Sequence, residues 1–277
     1  MEAKTKAAKD AGLETHKTHT VKKGDAVGYT PERQRLHAEI VDEIWAGQNG
    51  DAVPTEGKGL FTGGLGGAGK GTVLKSKTAG IDKTKYITVN PDDIKEILAK
   101  RGEVPVLEGV SPMEASTLIH EESSDVAALL AARAVAEKKN IIYDITMASE
   151  SSVSKRITGL EAAGYTQIDV IFVDIPPEKS VERAMGRYRA GMERHRNGEG
   201  AGGRYVPPSY IMGAKGDGAW SSTNRGVFEA MKTRYDNWSV YDTSADAPPG
   251  GKPPDPVLVS DSSAHGSPKR DRTAIPA

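Results

Sequence analysis

The sequence predicts an α/β fold in which a mainly parallel central sheet lies between helical layers, as a three-layer sandwich. Two observations lead to this prediction. Short apolar runs recur along the chain, and stretches of helical pattern separate most of them. The runs are apolar on both faces, which is typical of parallel strands covered on both sides. They lie at residues 60–62, 86–89, 140–143, 170–173, 238–241 and 257–259.

The length and composition limit the classes of protein to consider. With 277 residues, of which 37% are hydrophobic, the chain can bury one substantial core. A net charge of −1 gives no overall field that would attract nucleic acid or an anionic membrane. The absence of cysteine excludes disulfides, a thiolate nucleophile and Cys-ligated zinc. The first residues carry no apolar signal segment, so we expect a cytoplasmic protein with no nucleic-acid or membrane partner.

The chain divides into three parts by its local pattern. Residues 1–28 are rich in Lys, Thr and Ala without periodicity, and we expect them to form a mobile arm. The main domain is expected over residues 29–260, and its first helix begins with Thr30 as N-cap and Pro31 at the first helical position. Residues 261–277 are polar and are expected to be a disordered tail.

A glycine-rich loop after the first apolar run is the most specific motif. Gly64, four further residues and then Gly69 and Lys70 reproduce the spacing of a phosphate-binding loop, in which backbone N–H groups and the lysine hold nucleotide phosphates. The alternative is a glycine-rich turn with a chance lysine, which the order of strand, loop, lysine and helix disfavours. The predicted nucleotide site is Gly64, Leu65, Gly66, Gly67, Ala68, Gly69, Lys70, Gly71 and Thr72.

One position of this loop departs from the usual pattern. Gly71 stands where such loops normally carry the serine or threonine that binds Mg²⁺, and the hydroxyl follows one residue later, at Thr72. The Gly-Lys-Gly-Thr variant is more typical of small-molecule and nucleotide kinases than of GTPases. We therefore expect a P-loop kinase-like sandwich with ATP or GTP and Mg²⁺ as cofactors.

Carboxylates follow three of the apolar runs, where ligands of a parallel sheet bind. For Asp92 and Asp93, a functional role and a role in helix capping are equally reasonable. Asn90 suits an N-cap and Pro91 the first helical position, which places both acids in the first turn of a helix, where acids are favoured. Asp144 ends its run directly and is the stronger candidate for holding Mg²⁺. Asp174 precedes two prolines, and a turn role is as reasonable there as a ligand role.

Residues 183–204 concentrate positive charge and end in a glycine-rich stretch. Arginines that close over a moving phosphoryl group would stabilise its charge and exclude water, so we interpret the segment as a flexible arginine-bearing lid. The alternative is a solvated basic surface loop. The arginines are Arg183, Arg187, Arg189, Arg194, Arg196 and Arg204.

The order of these motifs resembles the zeta toxin family of kinases over roughly residues 55–245. Only the phosphate loop is specific by itself; the resemblance depends on the order of all the pieces. They are residues 64–72, 89–95, 120–124, 142–146, 164–165, 182–188 and 203–204. Members of this family use a P-loop nucleotide to phosphorylate a sugar hydroxyl, typically the 3′-OH of UDP-N-acetylglucosamine, and an antitoxin holds them silent.

The resemblance implies roles for individual residues. It makes Lys70 the β/γ-phosphate contact, Asp92 the base, and Arg187 and Arg204 the arginines of the transition state. It places His120, Glu122 and Ser123 in the acceptor region, and Asp144 with Thr146 at the junction of metal and substrate. Together with the motifs above, the predicted metal ligands are Thr72 and Asp144, and Asp93 is added to the predicted acceptor residues. An acidic substrate contact of the family falls near Ala127 or Ala128, which leaves the identity of the sugar open.

Three functions remain open at this stage. The chain is a nucleotide-sugar kinase of a toxin–antitoxin pair, a related kinase acting on another hydroxyl such as a dinucleotide ribose or an antibiotic, or a non-catalytic nucleotide-binding module. A binding module has no need of a base and two arginines, which argues against the third. His120 is more often structural than functional in such a position, and Trp220, Trp238 and Tyr241 are expected to pack in the core or beside adenine rather than stack on nucleic acid.

Overall fold

The computed structural model describes residues 1–24, 26–248 and 253–263, and it has the predicted α/β fold. A hairpin pairs β1 (Thr20–Lys23) with β2 (Ala26–Tyr29), and the strands of the separate central sheet are β3 (Lys58–Gly63), β4 (Ile87–Val89), β5 (Ile141–Asp144), β6 (Gln167–Val173), β7 (Asn237–Asp242) and β8 (Val257–Asp261). These six strands lie in the order β4-β5-β3-β6-β7-β8, all parallel to their neighbours except the last pair, which is antiparallel.

Helices follow most of the strands, as expected for a sheet flanked by helices. They are α1 (Glu2–Asp10), α2 (Thr15–Thr18), α3 (Pro31–Gly47), α4 (Lys70–Lys75), α5 (Pro91–Lys100), α6 (His120–Ala136), α7 (Glu150–Ala162), α8 (Pro177–Arg196), α9 (Pro208–Gly213) and α10 (Thr223–Met231). The cap predicted for α3 is confirmed, since the Thr30 hydroxyl accepts a hydrogen bond from the Arg33 N–H. Among the described residues, no helix is long and apolar enough to cross a membrane.

The chain forms two compact units. Unit 1 comprises Met1–Asp51, Asn90–Arg133 and Met185–Tyr205, and unit 2 comprises Ala52–Val89, Ala134–Ala184 and Val206–Ala277. Unit 2 contains the whole six-stranded sheet. Unit 1 contains the hairpin, α3, α5 and most of α6.

The core of unit 2 packs the glycine-rich loop onto the sheet. Leu65 and Ala68 of the loop and Val73 and Leu74 of α4 are buried with apolar side chains from β3, β5, β6 and β7. Burying apolar side chains on both sides of the loop fixes its backbone at the carboxyl end of β3. The local pattern of the sequence therefore positions this loop through packing as well as through its glycines.

Each unit has its own buried tryptophan. In unit 1, Trp45 of α3 donates to Asp51 at 2.9 Å and lies 4.1 Å from the Arg133 guanidinium. In unit 2, Trp238 of β7 packs edge-on against Phe228, with ring centroids 6.1 Å apart. This confirms the expectation that Trp238 is a core residue, and the buried Tyr241 of β7 also agrees with it.

The first 28 residues, which we expected to form a mobile arm, contain helices and strands. They form α1, α2 and most of a hairpin, and Thr5, Ala8, Glu14 and Thr15 are buried. The sequence does not reveal this packing, because small and polar side chains make it and large apolar ones do not. At the other end, residues 261–263 are described, and the rest of the predicted tail lies outside the described residues.

The strand predicted at residues 257–259 exists as β8, but it is an antiparallel edge strand. Its side chains Val257, Leu258 and Val259 are exposed. The apolar run therefore forms a strand, as predicted. The expectation that both of its faces are buried was wrong, because this strand lies at the edge of the sheet beside β7.

Candidate functional site

The glycine-rich loop of unit 2 depends on its glycines for backbone shape. Gly64, Gly67 and Gly69 have φ angles of +124°, +105° and +89°, which L side chains rarely adopt. A Cβ on Gly64 would also overlap the Val173 carbonyl oxygen, and one on Gly67 would overlap that of Ser180. These glycines are therefore required for the close approach of the loop to β6 and α8.

The loop leads directly into α4, with Gly69 as its N-cap residue and Lys70 as its first residue. The Lys70 ammonium donates to the Gly64 carbonyl at 3.3 Å, so the lysine arches back over the loop. The first N–H groups of a helix have no intrahelical partner and favour an anion. The loop, the lysine and the helix start therefore form an arrangement suited to phosphate oxygens.

Gly71 has no steric reason to be glycine. A Cβ placed there would meet no heavy atom within 4 Å, and its φ is not in the left-handed range. Thr72, the predicted hydroxyl ligand, is exposed in the first turn of α4. Packing therefore does not explain why residue 71 is a glycine and lacks a hydroxyl.

Asp144 ends β5 beside the start of the loop. It pairs in register with Thr62 of β3, whose hydroxyl donates to the Asp144 carboxylate at 2.8 Å. The neighbouring Thr146 has an exposed side chain, and its carbonyl accepts from Gly64 N–H at 3.2 Å and from the Asn224 amide at 2.8 Å. Thr146 thus contacts the loop through its backbone.

These residues fit a Mg²⁺ ion that takes most of its ligands from phosphate and water. Mg²⁺ in nucleotide sites is commonly bound by one or two protein oxygens, with the rest of its octahedron filled by phosphates and water. Asp144 and Thr72 supply such oxygens. Within the described part of the chain, no group of three or more His, Cys, Asp or Glu residues could hold a metal ion.

The two adjacent acids of unit 1 lie in the first turn of α5. The Asn90 side chain caps the helix by accepting from the Asp92 N–H at 3.0 Å, and its amide donates to Asp93 at 3.3 Å. This confirms the capping interpretation for Asn90. Asp93 is exposed and helps to hold the cap, whereas the Asp92 side chain makes different contacts.

The Asp92 carboxylate is in contact with two cations. One oxygen pairs with Arg204, and the other is 3.2 Å from the Lys95 ammonium one turn along α5. The Lys95 side chain is only 10% exposed, and this burial lowers its pKa, although Asp92 acts in the opposite direction. A carboxylate can accept a proton, and cations beside it can bind an anion.

Arg187 joins this group electrostatically. Burial and then the positive charge of Arg204 lower the pKa of Arg187, against the raising effect of Asp92. The side chain keeps solvent-exposed surface, so the burial acts on part of it only, and arginine stays cationic at neutral pH. Arg187 therefore lies within electrostatic range of Asp92 and Arg204, and the roles that the resemblance implied for these residues stay predictions.

The remaining arginines of the predicted lid lie elsewhere. Arg183 donates to Thr243 and to the Ala245 carbonyl in unit 2. Arg194 and Arg196 lie in the last turn of α8, where cations interact favourably with the helix dipole. Five of the six arginines of the segment are helical, and the irregular part begins after Arg196. A closing motion of this segment stays a prediction.

The three residues predicted at the start of α6 have different surroundings. His120 keeps exposed surface, and burial of part of its ring together with the charge of Lys95 lowers its pKa, which favours the neutral imidazole. Ser123 is buried and donates to the His120 carbonyl at 2.7 Å. Glu122 is completely buried, so only His120 is accessible beside Asp92 and Lys95.

Glu122 belongs to a buried polar network that the sequence did not suggest. It pairs with Arg33 and, at 2.6 Å, with His37, both on α3. Burial would raise the pKa of Glu122, but hydrogen bonds from His37 and Arg33 outweigh it and lower the pKa to about 2. The carboxylate therefore joins α3 to α6 inside unit 1 and does not face an acceptor.

Lys95 is the other residue without a sequence-based role. The resemblance included it in a motif but assigned it nothing, and only its burial against Asp92 reveals its place. The sequence pattern that could have predicted this contact is the spacing of three residues between Asp92 and Lys95, which places both on the same face of a helix.

The family model for zeta toxin matches residues 52–243, more than two thirds of the chain. Among solved structures, the complex AvrRxo1-ORF1:-ORF2 with ATP is similar at a TM-score of 0.60 and 18% identity, covering 90% of this chain and 76% of that one. The PezAT toxin–antitoxin system of Streptococcus pneumoniae is similar at a TM-score of 0.59 and 13% identity, covering 87% and 85%. No match was found among curated proteins.

Proposed function

This chain belongs to the zeta toxin family, and we propose that it transfers the γ-phosphoryl group of ATP or GTP to a sugar hydroxyl, foremost the 3′-OH of UDP-N-acetylglucosamine. The observation that carries the proposal is Asp92, held at a helix start between Arg204 and Lys95, with Arg187 nearby. A carboxylate that accepts a proton and arginines that stabilise phosphoryl charge are what this reaction needs.

The nucleotide is assigned to the glycine-rich loop of unit 2. Its backbone N–H groups and Lys70 would hold the β- and γ-phosphates, and Thr72 and Asp144 would hold Mg²⁺. When bound, this ion neutralises charge on the β- and γ-phosphate oxygens. Lys70 would give up its contact with the Gly64 carbonyl, because a phosphate oxygen is a charged and therefore stronger acceptor.

In unit 1, the acceptor hydroxyl would replace Arg204 at one oxygen of Asp92. The oxygen of the acceptor hydroxyl would then form a bond to the γ-phosphorus while its proton passes to Asp92. The bond between the γ-phosphorus and the leaving nucleoside diphosphate would break in the same step. Arg204, once displaced, is free to bind the transferred phosphoryl group with Arg187. Lys95 keeps its contact and fixes the orientation of the base.

A related kinase that phosphorylates another hydroxyl is the second candidate. It is favoured by Ala127 and Ala128, which stand where the family's acidic sugar contact would be; Ala127 is buried and Ala128 is exposed. A dinucleotide ribose and small antibiotics are the acceptors to compare. A non-catalytic module is disfavoured, because nucleotide binding alone does not require Asp92 and the arginines.

Incubation of the protein with Mg²⁺, ATP and single acceptors, followed by mass spectrometry, tests the proposal. We expect the wild type to add one phosphate to UDP-N-acetylglucosamine. Lys70→Ala should add none, while its circular dichroism spectrum stays that of the wild type. Arg204→Ala should lower kcat by ~10³-fold or more with little change in nucleotide affinity. Phosphorylation of a dinucleotide alone would select the second candidate, and no phosphorylated product with any acceptor would contradict both.

We also propose that the protein acts in the cytoplasm as the toxin of a toxin–antitoxin pair. The solved complexes of AvrRxo1-ORF1 with -ORF2 and of PezAT support a protein partner for this chain. Induced expression of the wild type should arrest growth of a bacterial host, and Lys70→Ala should not. Equal growth of both strains at equal protein levels would contradict the toxin role.

A further inference from the structure

Both neighbours of Arg204 pack against Tyr188, the residue that follows Arg187. The Tyr188 ring meets the Tyr205 ring edge-on, with centroids 5.3 Å apart and an angle of 74° between the planes. On the other side, a Cβ on Gly203 would overlap the Tyr188 carbonyl oxygen, so only glycine permits this approach. The backbone that carries Arg204 is thus held on α8 from both sides.

The hydroxyl of Tyr188 is fixed in turn by a carboxylate. It donates to Glu114 at 2.6 Å, and the other Glu114 oxygen accepts from the N–H and the hydroxyl of Ser111, each at 2.9 Å. The hydrogen bond to Glu114 is the main cause that raises the pKa of Tyr188, to about 12. At neutral pH the phenol is therefore a donor, and Glu114 has partners on both oxygens.

The glycine-rich segment before Arg204 is attached to the same loop as Glu114. The N–H of Met113 donates to the Ala201 carbonyl at 2.9 Å. Gly202 has a φ of +105°, and a Cβ there would overlap the Ser111 side chain. The segment between α8 and Arg204 is consequently held by specific contacts, although its composition alone would suggest a free loop.

We infer that Tyr188 and Glu114 form a clasp that positions Arg204 beside Asp92. The inference rests on the proposed function and deepens it. Both are positioning residues, because they act through Arg204 and contact no reacting atom. Packing against Tyr205 requires only the aromatic ring of Tyr188 and not its hydroxyl. The hydroxyl adds a directional bond, which fixes the ring against Tyr205 and so fixes the course of the chain at Arg204.

Steady-state kinetics of Tyr188→Phe test the clasp. The variant keeps the ring and loses the bond to Glu114, and we expect kcat for acceptor phosphorylation to fall ~10- to 10²-fold with unchanged KM for ATP, since small misplacements of a catalytic group have large effects. Glu114→Ala should behave in the same way. Glu114→Gln should restore most of the rate, because its oxygen can accept from Ser111 while its NH2 group donates to the Tyr188 hydroxyl.

Two comparisons separate positioning from general stability. In an Arg204→Ala background, Tyr188→Phe should have no further effect on kcat, because the residues act through the same arginine. Tyr210→Phe removes the hydroxyl of a tyrosine that is 70% exposed on α9 and should match the wild type. An unchanged kcat in Tyr188→Phe, or an equal fall in the Arg204→Ala background, would overturn the inference.

Hydrogen exchange keeps the inference testable apart from the proposed function. If the wild type phosphorylates no acceptor, the proposed function fails, and the clasp is judged by the amides of residues 201–205. These should exchange faster in Tyr188→Phe than in the wild type at equal melting temperature. Equal exchange would exclude the clasp even if the kinase activity is present.

Discussion

At the scale of single residues, Asp92 makes both kinds of contact that its two interpretations require. Its N–H is capped by Asn90, and its carboxylate contacts Arg204 and Lys95. Asp93, the next residue, accepts a hydrogen bond from the Asn90 side-chain amide. The two acids therefore have different surroundings although they are adjacent in the same helical turn.

Replacing each acid by asparagine should separate their functions. Asp92→Asn should lower acceptor phosphorylation by ~10²–10⁴-fold, the range for a positioned general base, and bind Mg²⁺-nucleotide nearly as well. It should lose about 1–2 kcal/mol of stability, because the buried Lys95 loses its counter-charge. Asp93→Asn is the matched control and should keep most activity. Activity in Asp92→Asn together with inactivity in Asp93→Asn would shift the base by one residue.

Gly71 allows a second test at this scale. Since a Cβ there meets no atom within 4 Å, Gly71→Ser should fold normally. It restores the hydroxyl usual in phosphate loops, so we expect half-maximal activity at a lower Mg²⁺ concentration. Gly71→Ala is the control that adds Cβ without the hydroxyl. An equal Mg²⁺ requirement in both variants would indicate that residue 71 does not reach the ion.

At the scale of elements, the sequence predicted what local patterns determine. The six strands, the capped starts of α3 and α5 and the glycine-rich loop all have short signals in neighbouring residues. Pairing between distant polar residues has no such signal, so the contacts of Glu122 with Arg33 and His37, and the burial of Lys95, were missed. The direction of β8 was missed for the same reason.

The contact between α3 and α6 predicts acid sensitivity of unit 1. The pKa of Glu122 is lowered to about 2 in the folded state, below the value of 4.5 for a free glutamate. Its contribution is therefore fully present above about pH 4.5 and is lost as the pH falls towards 2. Glu122→Gln should flatten this acid limb and cost about 3 kcal/mol at neutral pH, because Arg33 loses a buried partner.

Thermal unfolding between pH 2 and 7 is the measurement. Glu121→Gln, which removes the exposed neighbouring carboxylate, is the control and should keep the wild-type profile. If Glu122→Gln and the wild type lose stability in parallel on acidification, the buried carboxylate is not the group responsible.

At the scale of the whole molecule, the candidate residues are distributed between the two units. The predicted nucleotide residues and Asp144 belong to unit 2, and Asp92, His120, Arg187 and Arg204 belong to unit 1. The sequence motifs identified the candidate residues. They did not predict how these residues are distributed between the units, because each unit is assembled from segments far apart in the chain.

The two buried tryptophans provide optical reporters for the two units. Trp45 belongs to unit 1 and Trp238 to unit 2, and the third, Trp220, is partly exposed. Variants that keep only Trp45 or only Trp238 should each give a fluorescence change on unfolding, and coincident midpoints would mean one cooperative transition. If the midpoints differ, Glu122→Gln should shift the Trp45 signal and leave the Trp238 signal in place, so that fluorescence follows each unit within the intact chain.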